Sequence, residues 1–298
     1  MRRLKAFSYF EPATVEEAVR MLRKQGGDAR PLAGGTDLLV RMKRGEVSPS
    51  ALINLKRIKG LDKIRKGPGR GISVGALTPV SAIEQSPLIR STHPMLAEAA
   101  RLLGSPSIRN LATLGGNVGR ASPASDMVPS LIVLRARVMI EGIRGKKELD
   151  VERLFSGPGT TTLSKGELIR SFFLPNLPPR SGGTYLKLGR REGMDCALVG
   201  VAVCLSLSGK NREAKEARVA LSAVAPVPLR ATKTEEVLLS GPLTEERIRE
   251  ASRVAAMESS PIDDLRASGS YRKEMVSVLT YRAVLGALAE AEGGDGKK

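Results

Sequence analysis

The 298-residue chain is poor in the residues that most often carry chemistry. It has two cysteines, one histidine, four tyrosines, five phenylalanines and no tryptophan. Two thiols are too few for an iron–sulfur cluster, which takes four ligands. The eight-residue spacing of Cys196 and Cys204 sets both on one face of a predicted strand, too far apart to bond to each other. They read as buried thiols of a reducing compartment. The single histidine, His93, has no second imidazole for a metal site and no partner for a serine nucleophile. No apolar run reaches the roughly 18 residues of a spanning helix, so no membrane span is expected. The opening "MRRLKAFSYFEPAT" lacks the apolar stretch of a signal peptide. The expected location is cytoplasmic. With so few aromatics, the core must be built from Leu, Val, Ile and Ala.

Positive charge is abundant: 48 basic against 31 acidic residues give a net +17. Such a surface suits nucleic acid, an acidic partner subunit, or plain solvation. The basic residues are spread along the chain, without a zinc-finger, RNP or basic-zipper pattern, so no nucleic-acid partner is expected. The length allows two domains with ample core.

The first 55 residues or so alternate helix, strand, helix, strand, as an α/β unit does. "PATVEEAVRMLRKQGG" has Thr14 as N-cap, Glu17 as its capping-box partner, and an apolar stripe at Val15, Ala18, Val19 and Leu22. "ARPLAGG" is a predicted strand, and "TDLLVRMKRG" a helix capped by Thr36 and ended by Gly45. "ALINL" and "ISVGAL" are predicted strands; "TPVSAIEQS", capped by Thr78, and "HPMLAEAARLLG" are predicted helices. Residues 105–124 read as an ordered loop, "SDMVPSLIVL" as a helix, and "ARVMIEG" and "ELIRSFFLP" as strands. "PNLPPRSGG", dense in Pro and Gly, marks a boundary. Beyond it "TYLKLGRR", "ALVGVAVCLSL" and "EARVALSAV" read as three antiparallel strands followed by three helices.

Two Gly-Gly pairs stand out. In "LAGGTD" (32–37) the glycines let backbone N–H groups approach a ligand, and the next helix offers its positive end to an anion. The same stretch also reads as a plain strand-to-helix turn. It is neither a P-loop nor a GxGxxG turn. "TLGGN" (113–117) repeats the theme some eighty residues later, ahead of "VGRASPASD". Two such loops can grip a pyrophosphate between them, with Thr36 and Asn117 completing the polar contacts.

The segments "RPLAGGTDLL", "SIRNLATLGGNVGRASPASD", "SGPGTT", "GELI", "YLKLGRR" and "PIDDLRAS" occur in this order at suitable spacings. Over nearly the whole chain it resembles the FAD-binding medium subunit of the molybdenum hydroxylases, the xanthine dehydrogenase and carbon monoxide dehydrogenase family. The resemblance implies an α+β fold: a two-lobed FAD-binding domain of the vanillyl-alcohol oxidase and p-cresol methylhydroxylase type over 1–177, with lobes of about 1–56 and 57–177. A small α+β domain over 178–290, with a three-stranded antiparallel sheet and helices, would follow, then a frayed tail at 291–298.

Carried over, the cofactor-binding positions are Leu32, Ala33, Gly34, Gly35, Thr36, Asp37 and Leu38 in the first loop, and Thr113, Gly115, Gly116 and Asn117 in the second. Asp126 matches a polar contact to the cofactor; it also reads as a helix cap. Ile169 matches an apolar position beside the cofactor and Lys187 a lysine near the flavin ring; ordinary core and a solvated strand residue are their alternatives. No His or Cys matches a covalent tether, so FAD is expected to be non-covalent. The implied partners are a large molybdopterin-binding subunit and a small subunit with [2Fe–2S] clusters, as a dimer of heterotrimers. No side chain is assigned to substrate chemistry and no metal site is expected. A stand-alone FAD oxidoreductase of the same fold and a basic nucleic-acid-binding module are the alternatives.

Overall fold

The structure, a computed structural model, describes residues 4–209 and 211–293. The first sheet is parallel and has three strands. It is built from β1 (Ser8–Phe10), α1 (Val15–Gln25), β2 (Ala29–Leu32), α2 (Leu38–Arg44) and β3 (Ala51–Asn54), with strand order β1-β3-β2. Thr14 caps α1 by accepting from the Glu17 N–H, while the Glu17 carboxylate accepts from Ala13 N–H, one residue before the capping-box partner. Val15, Ala18, Val19 and Leu22 are buried, packing α1 onto this sheet.

Next come β4 (Ile64–Lys66), β5 (Ile72–Gly75), α3 (Val80–Gln85), α4 (Pro87–Thr92), α5 (Pro94–Leu102), α6 (Pro106–Arg109), α7 (Leu114–Gly119) and α8 (Met127–Val133). They are followed by β6 (Arg137–Gly142), β7 (Gly145–Asp150), the small hairpin β8 (Phe155–Gly157) and β9 (Thr160–Thr161), and β10 (Leu168–Leu174). The second sheet is antiparallel, in the order β4-β5-β10-β6-β7. β7, "GKKELD", has no apolar alternation because it is an exposed edge strand, and periodicity passed over it. Residues 105–124, expected as loop, contain α6 and α7: Ser105 and Thr113 act as caps there, and composition hid both short helices.

The third sheet runs β11 (Ser181–Leu188), β12 (Val199–Ser208), β13 (Glu213–Ser222) and β14 (Leu229–Arg230), antiparallel throughout. The three expected strands are joined by a fourth of two residues, too short to leave a sequence signal. α9 (Thr232–Leu239), α10 (Glu245–Glu258) and α11 (Gly269–Gly293) follow. α11 carries helix through Gly293, into the segment expected to be frayed; 294–298 lie outside the described residues. Cys196 precedes β12 and is exposed, so only Cys204 is a buried strand thiol, its pKa pushed up to about 12 by burial.

β12 is apolar on both faces for a physical reason. Val199, Val201, Val203, Leu205 and Leu207 pack with α10 and α11. Ala202 and Cys204 face the other way, into the core built around β5, β6 and β10. A strand covered on both sides loses the alternation of a half-solvated one. "PIDDLRAS" has a structural role here: Asp264 accepts from the guanidinium groups of Arg266 and of the buried Arg272, at 2.6 and 2.7 Å. The two arginines hold the Asp264 carboxyl well below the usual range.

Candidate functional site

The two Gly-Gly loops meet. The first connects β2 to α2, the second leads into α7. Gly34 lies directly on the second loop's approach, where a Cβ would collide with the carbonyl of Leu111. Gly35 has φ +75°, the left-handed region that favours glycine. A Cβ on Gly116 would sit 3.8 Å from that of Ala33. The second loop is pinned from behind, its Leu114 and Gly115 N–H groups donating to the carbonyls of Thr78 and Ala76. Thr113 caps α7, accepting from Gly116 N–H at 3.1 Å. A cleft of about 520 Å³ opens beside the loops, lined by Ala33, Leu111 and Thr113 on one side and by Lys56, Arg57 and Lys59 on the other.

Thr36 is not the cap of α2. Asp37 stands at that position in helical conformation, without a side-chain bond to the backbone. Its carboxylate turns instead to Arg120 Nε at 2.9 Å and Arg41 Nη1 at 3.9 Å. Leu38 opens α2, half-buried. Asn117, in α7, accepts from the Ser125 hydroxyl at 2.5 Å through Oδ1, which leaves both N–H donors of its amide available. Ile169 is buried and its Cδ1 lies 3.6 Å from where a Cβ on Gly119 would be, so it backs the end of α7.

The structure joins Asp126 to Lys187, 61 residues apart in sequence. Asp126 precedes α8 but makes no cap bond. Its Oδ2 accepts from Lys187 Nζ at 2.8 Å and its Oδ1 from the Tyr185 hydroxyl at 3.0 Å. Lys187 also donates to the Leu102 carbonyl at 3.0 Å, so one of its three N–H groups is left over. Both members of the ion pair are buried, at 6% and 9% side-chain exposure. Burial pushes the Asp126 carboxyl up, against the opposing pull of Lys187 and Tyr185. Burial and the adjacent carboxylate push the Tyr185 phenol well up, so it stays a donor.

Reasoning from residues missed Arg120, Ser125 and Tyr185. Each left a signal: a lone cation in "VGRASPASD", a second hydroxyl in the same run, and an aromatic two residues before Lys187, on the same strand face.

These features bring the two glycine loops into contact and fix a buried cation, Lys187, against Asp126. Comparisons with known proteins name the family. The FAD binding domain of molybdopterin dehydrogenase matches residues 5–177, and the CO dehydrogenase flavoprotein C-terminal domain matches 184–287. The chain belongs to this family of molybdopterin dehydrogenase FAD subunits, and it is an oxidoreductase flavoprotein with FAD as cofactor. It is 34% identical to the carbon monoxide dehydrogenase medium chain of Hydrogenophaga pseudoflava, covering 95% of this chain and 97% of that one. It is 32% identical to the glyceraldehyde dehydrogenase medium chain of Sulfolobus acidocaldarius, covering 93% and 96%.

Among solved structures, it superposes on the Hydrogenophaga pseudoflava carbon monoxide dehydrogenase lacking the Mo-pyranopterin moiety with a TM-score of 0.93, at 34% identity, covering 97% and 99%. On quinoline 2-oxidoreductase from Pseudomonas putida 86 the TM-score is 0.89, at 28% identity, covering 98% and 99%. The expected fold, an FAD-binding domain followed by a small α+β domain, is the fold of these relatives. Among the described residues no helix is long and apolar enough to cross a membrane, and no cluster of ligands could hold a metal ion.

Proposed function

We propose that this chain is the electron-transfer subunit of a molybdopterin-dependent hydroxylase or dehydrogenase complex. In this reading a large partner carries molybdopterin and hydroxylates the substrate. A small partner carries [2Fe–2S] clusters that relay electrons to this chain, which delivers them to a terminal acceptor. The assembly is a dimer of heterotrimers in the cytoplasm. FAD, held without a covalent bond, supplies exchange of one or two electrons.

The protein's own work is to bind and tune. Residues Leu32, Ala33, Gly34, Gly35, Thr36, Asp37 and Leu38, with Thr113, Gly115, Gly116 and Asn117, form the pyrophosphate clamp. Asp126 and Ile169 line the bound cofactor. Lys187, fixed by Asp126 and Leu102 O, sets a cation where it favours negative charge on the reduced ring. Residues 1–177 form the FAD-binding domain, as lobes 1–56 and 57–177, and 178–290 the C-terminal domain. The contact of Gly34 with the second loop carries this reading, because it makes one clamp of two distant loops.

An absorption spectrum of the purified chain, with mass analysis of the released cofactor, tests it. Flavin bands and FAD are expected. A chain that stays colourless after reconstitution with FAD overturns the reading. Purification as a single chain fully active on a small substrate favours a stand-alone oxidoreductase instead.

A further inference from the structure

Arg120 lies where three segments of the candidate site converge. It follows the last residue of α7, so it belongs to the second Gly-Gly loop. Its Nε lies 2.9 Å from Asp37 Oδ2, at the end of the first loop. Its Nη1 lies 3.0 Å from where a Cβ on Gly159 would be, in the β8–β9 turn "SGPGTT". That turn is tied to the same spot, because Gly159 N–H donates to the carbonyl of Ala121, the residue after Arg120. Ala121 itself has φ +50°, an uncommon conformation for a residue with a side chain, held by its burial.

The guanidinium is under-used. Nε is buried and has no hydrogen-bond partner among the described residues, since Asp37 Oδ2 is near it but outside hydrogen-bond geometry. No hydrogen bond is formed by its terminal nitrogens among the described residues either. The side chain is 32% exposed, so part of it is reachable from solvent. A five-donor planar cation with unclaimed N–H groups is suited to a diphosphate, which offers paired oxygens to its fork. Asp37, by contrast, brings a negative charge to a clamp meant for an anion.

We infer that Arg120 is the side-chain cation of the pyrophosphate clamp, and that Asp37 is the carboxylate that holds it in place until the diphosphate takes it over. This rests on the reading of the two loops as the FAD clamp. Neutralising Asp37 then removes both a competitor for Arg120 and a repulsive charge near the diphosphate.

The test is a fluorescence titration of FAD into the full chain stripped of flavin. Arg120→Met weakens FAD binding about ten- to a hundredfold, the range for charge-assisted hydrogen bonds. Arg120→Lys, which keeps the charge and loses the fork, falls between the two. Asp37→Asn tightens binding. The double variant Asp37→Asn/Arg120→Met still shows the loss against Asp37→Asn alone.

If Arg120 serves only as partner to Asp37, its replacement does nothing once Asp37 is neutral, and the inference falls. It falls equally if Arg120→Met binds FAD within twofold of the original chain. Gly35→Val separates this from the parent reading: it abolishes FAD binding if the loops are the clamp. Normal FAD binding by Gly35→Val removes the clamp itself, whereas its loss alongside normal binding by Arg120→Met removes Arg120 alone.

Discussion

At the scale of single residues, Asp126 and Lys187 show how a site residue and a structural one can be the same. Asp126 has the sequence position of a helix cap, and its backbone stands there, yet its carboxylate serves Lys187 and Tyr185. Removing one partner of a buried ion pair leaves the other uncompensated, which is worse than never having had the pair. Lys187→Met is therefore expected to lower the unfolding free energy of the flavin-free chain by about 3–5 kcal/mol at pH 7. Burial already raises the Asp126 pKa, so in the variant it protonates more readily and the loss shrinks as pH falls. Urea unfolding at pH 7 and pH 5 measures this. A loss under about 1 kcal/mol at both values would show that the pair behaves like a surface salt bridge.

Among elements, the legibility of the sequence followed burial and length. α1 was readable in full, because its cap, stripe and glycine stop all point the same way. α6 and α7 were not, because helices of four and six residues leave no periodicity and their glycines and serines imitate a loop. The short α4 and α5 meet at His93, which is buried and donates from Nε2 to the carbonyl of Pro175, where the Pro-rich segment begins. Burial lowers its pKa.

A group with a depressed pKa in the folded state contributes stability that is present above its unfolded pKa and lost as pH falls through the folded one. His93 is the sole histidine, so no other imidazole contributes in this range. Unfolding free energy is expected to fall as pH drops below about 6.5, and His93→Gln is expected to remove that slope. Thermal or urea unfolding across pH 8 to 5 checks it; an unchanged slope in the variant would put the effect elsewhere.

For the whole molecule, the C-terminal sheet is shared between two cores. Tyr185, Ala202, Cys204 and Ala220 belong to the first, while Val201, Val203 and Leu205 belong to the second. Lys187 pairs with Gly200 in that sheet and reaches Asp126 across the same seam. Parts that share apolar surface so closely should unfold together. A single calorimetric transition, with calorimetric and van't Hoff enthalpies in agreement, is expected for the flavin-free chain. Two separable transitions would show that the seam is weaker than its packing implies.

The sequence by itself determined the class of each long element and the family, because these depend on local patterns and ordered motifs. Charge and composition excluded more than they identified. Only the tertiary structure decided what the two Gly-Gly pairs are to each other. A glycine's worth at Gly34 lies in what approaches it, and that is the backbone of Leu111, 77 positions away in numbering. The same holds for Asp37, whose charge is countered by Arg120, 83 positions away in numbering. Local propensity acts within a few residues, whereas charge and excluded volume act through space. Loop partners and buried ion pairs are therefore settled when the chain closes on itself.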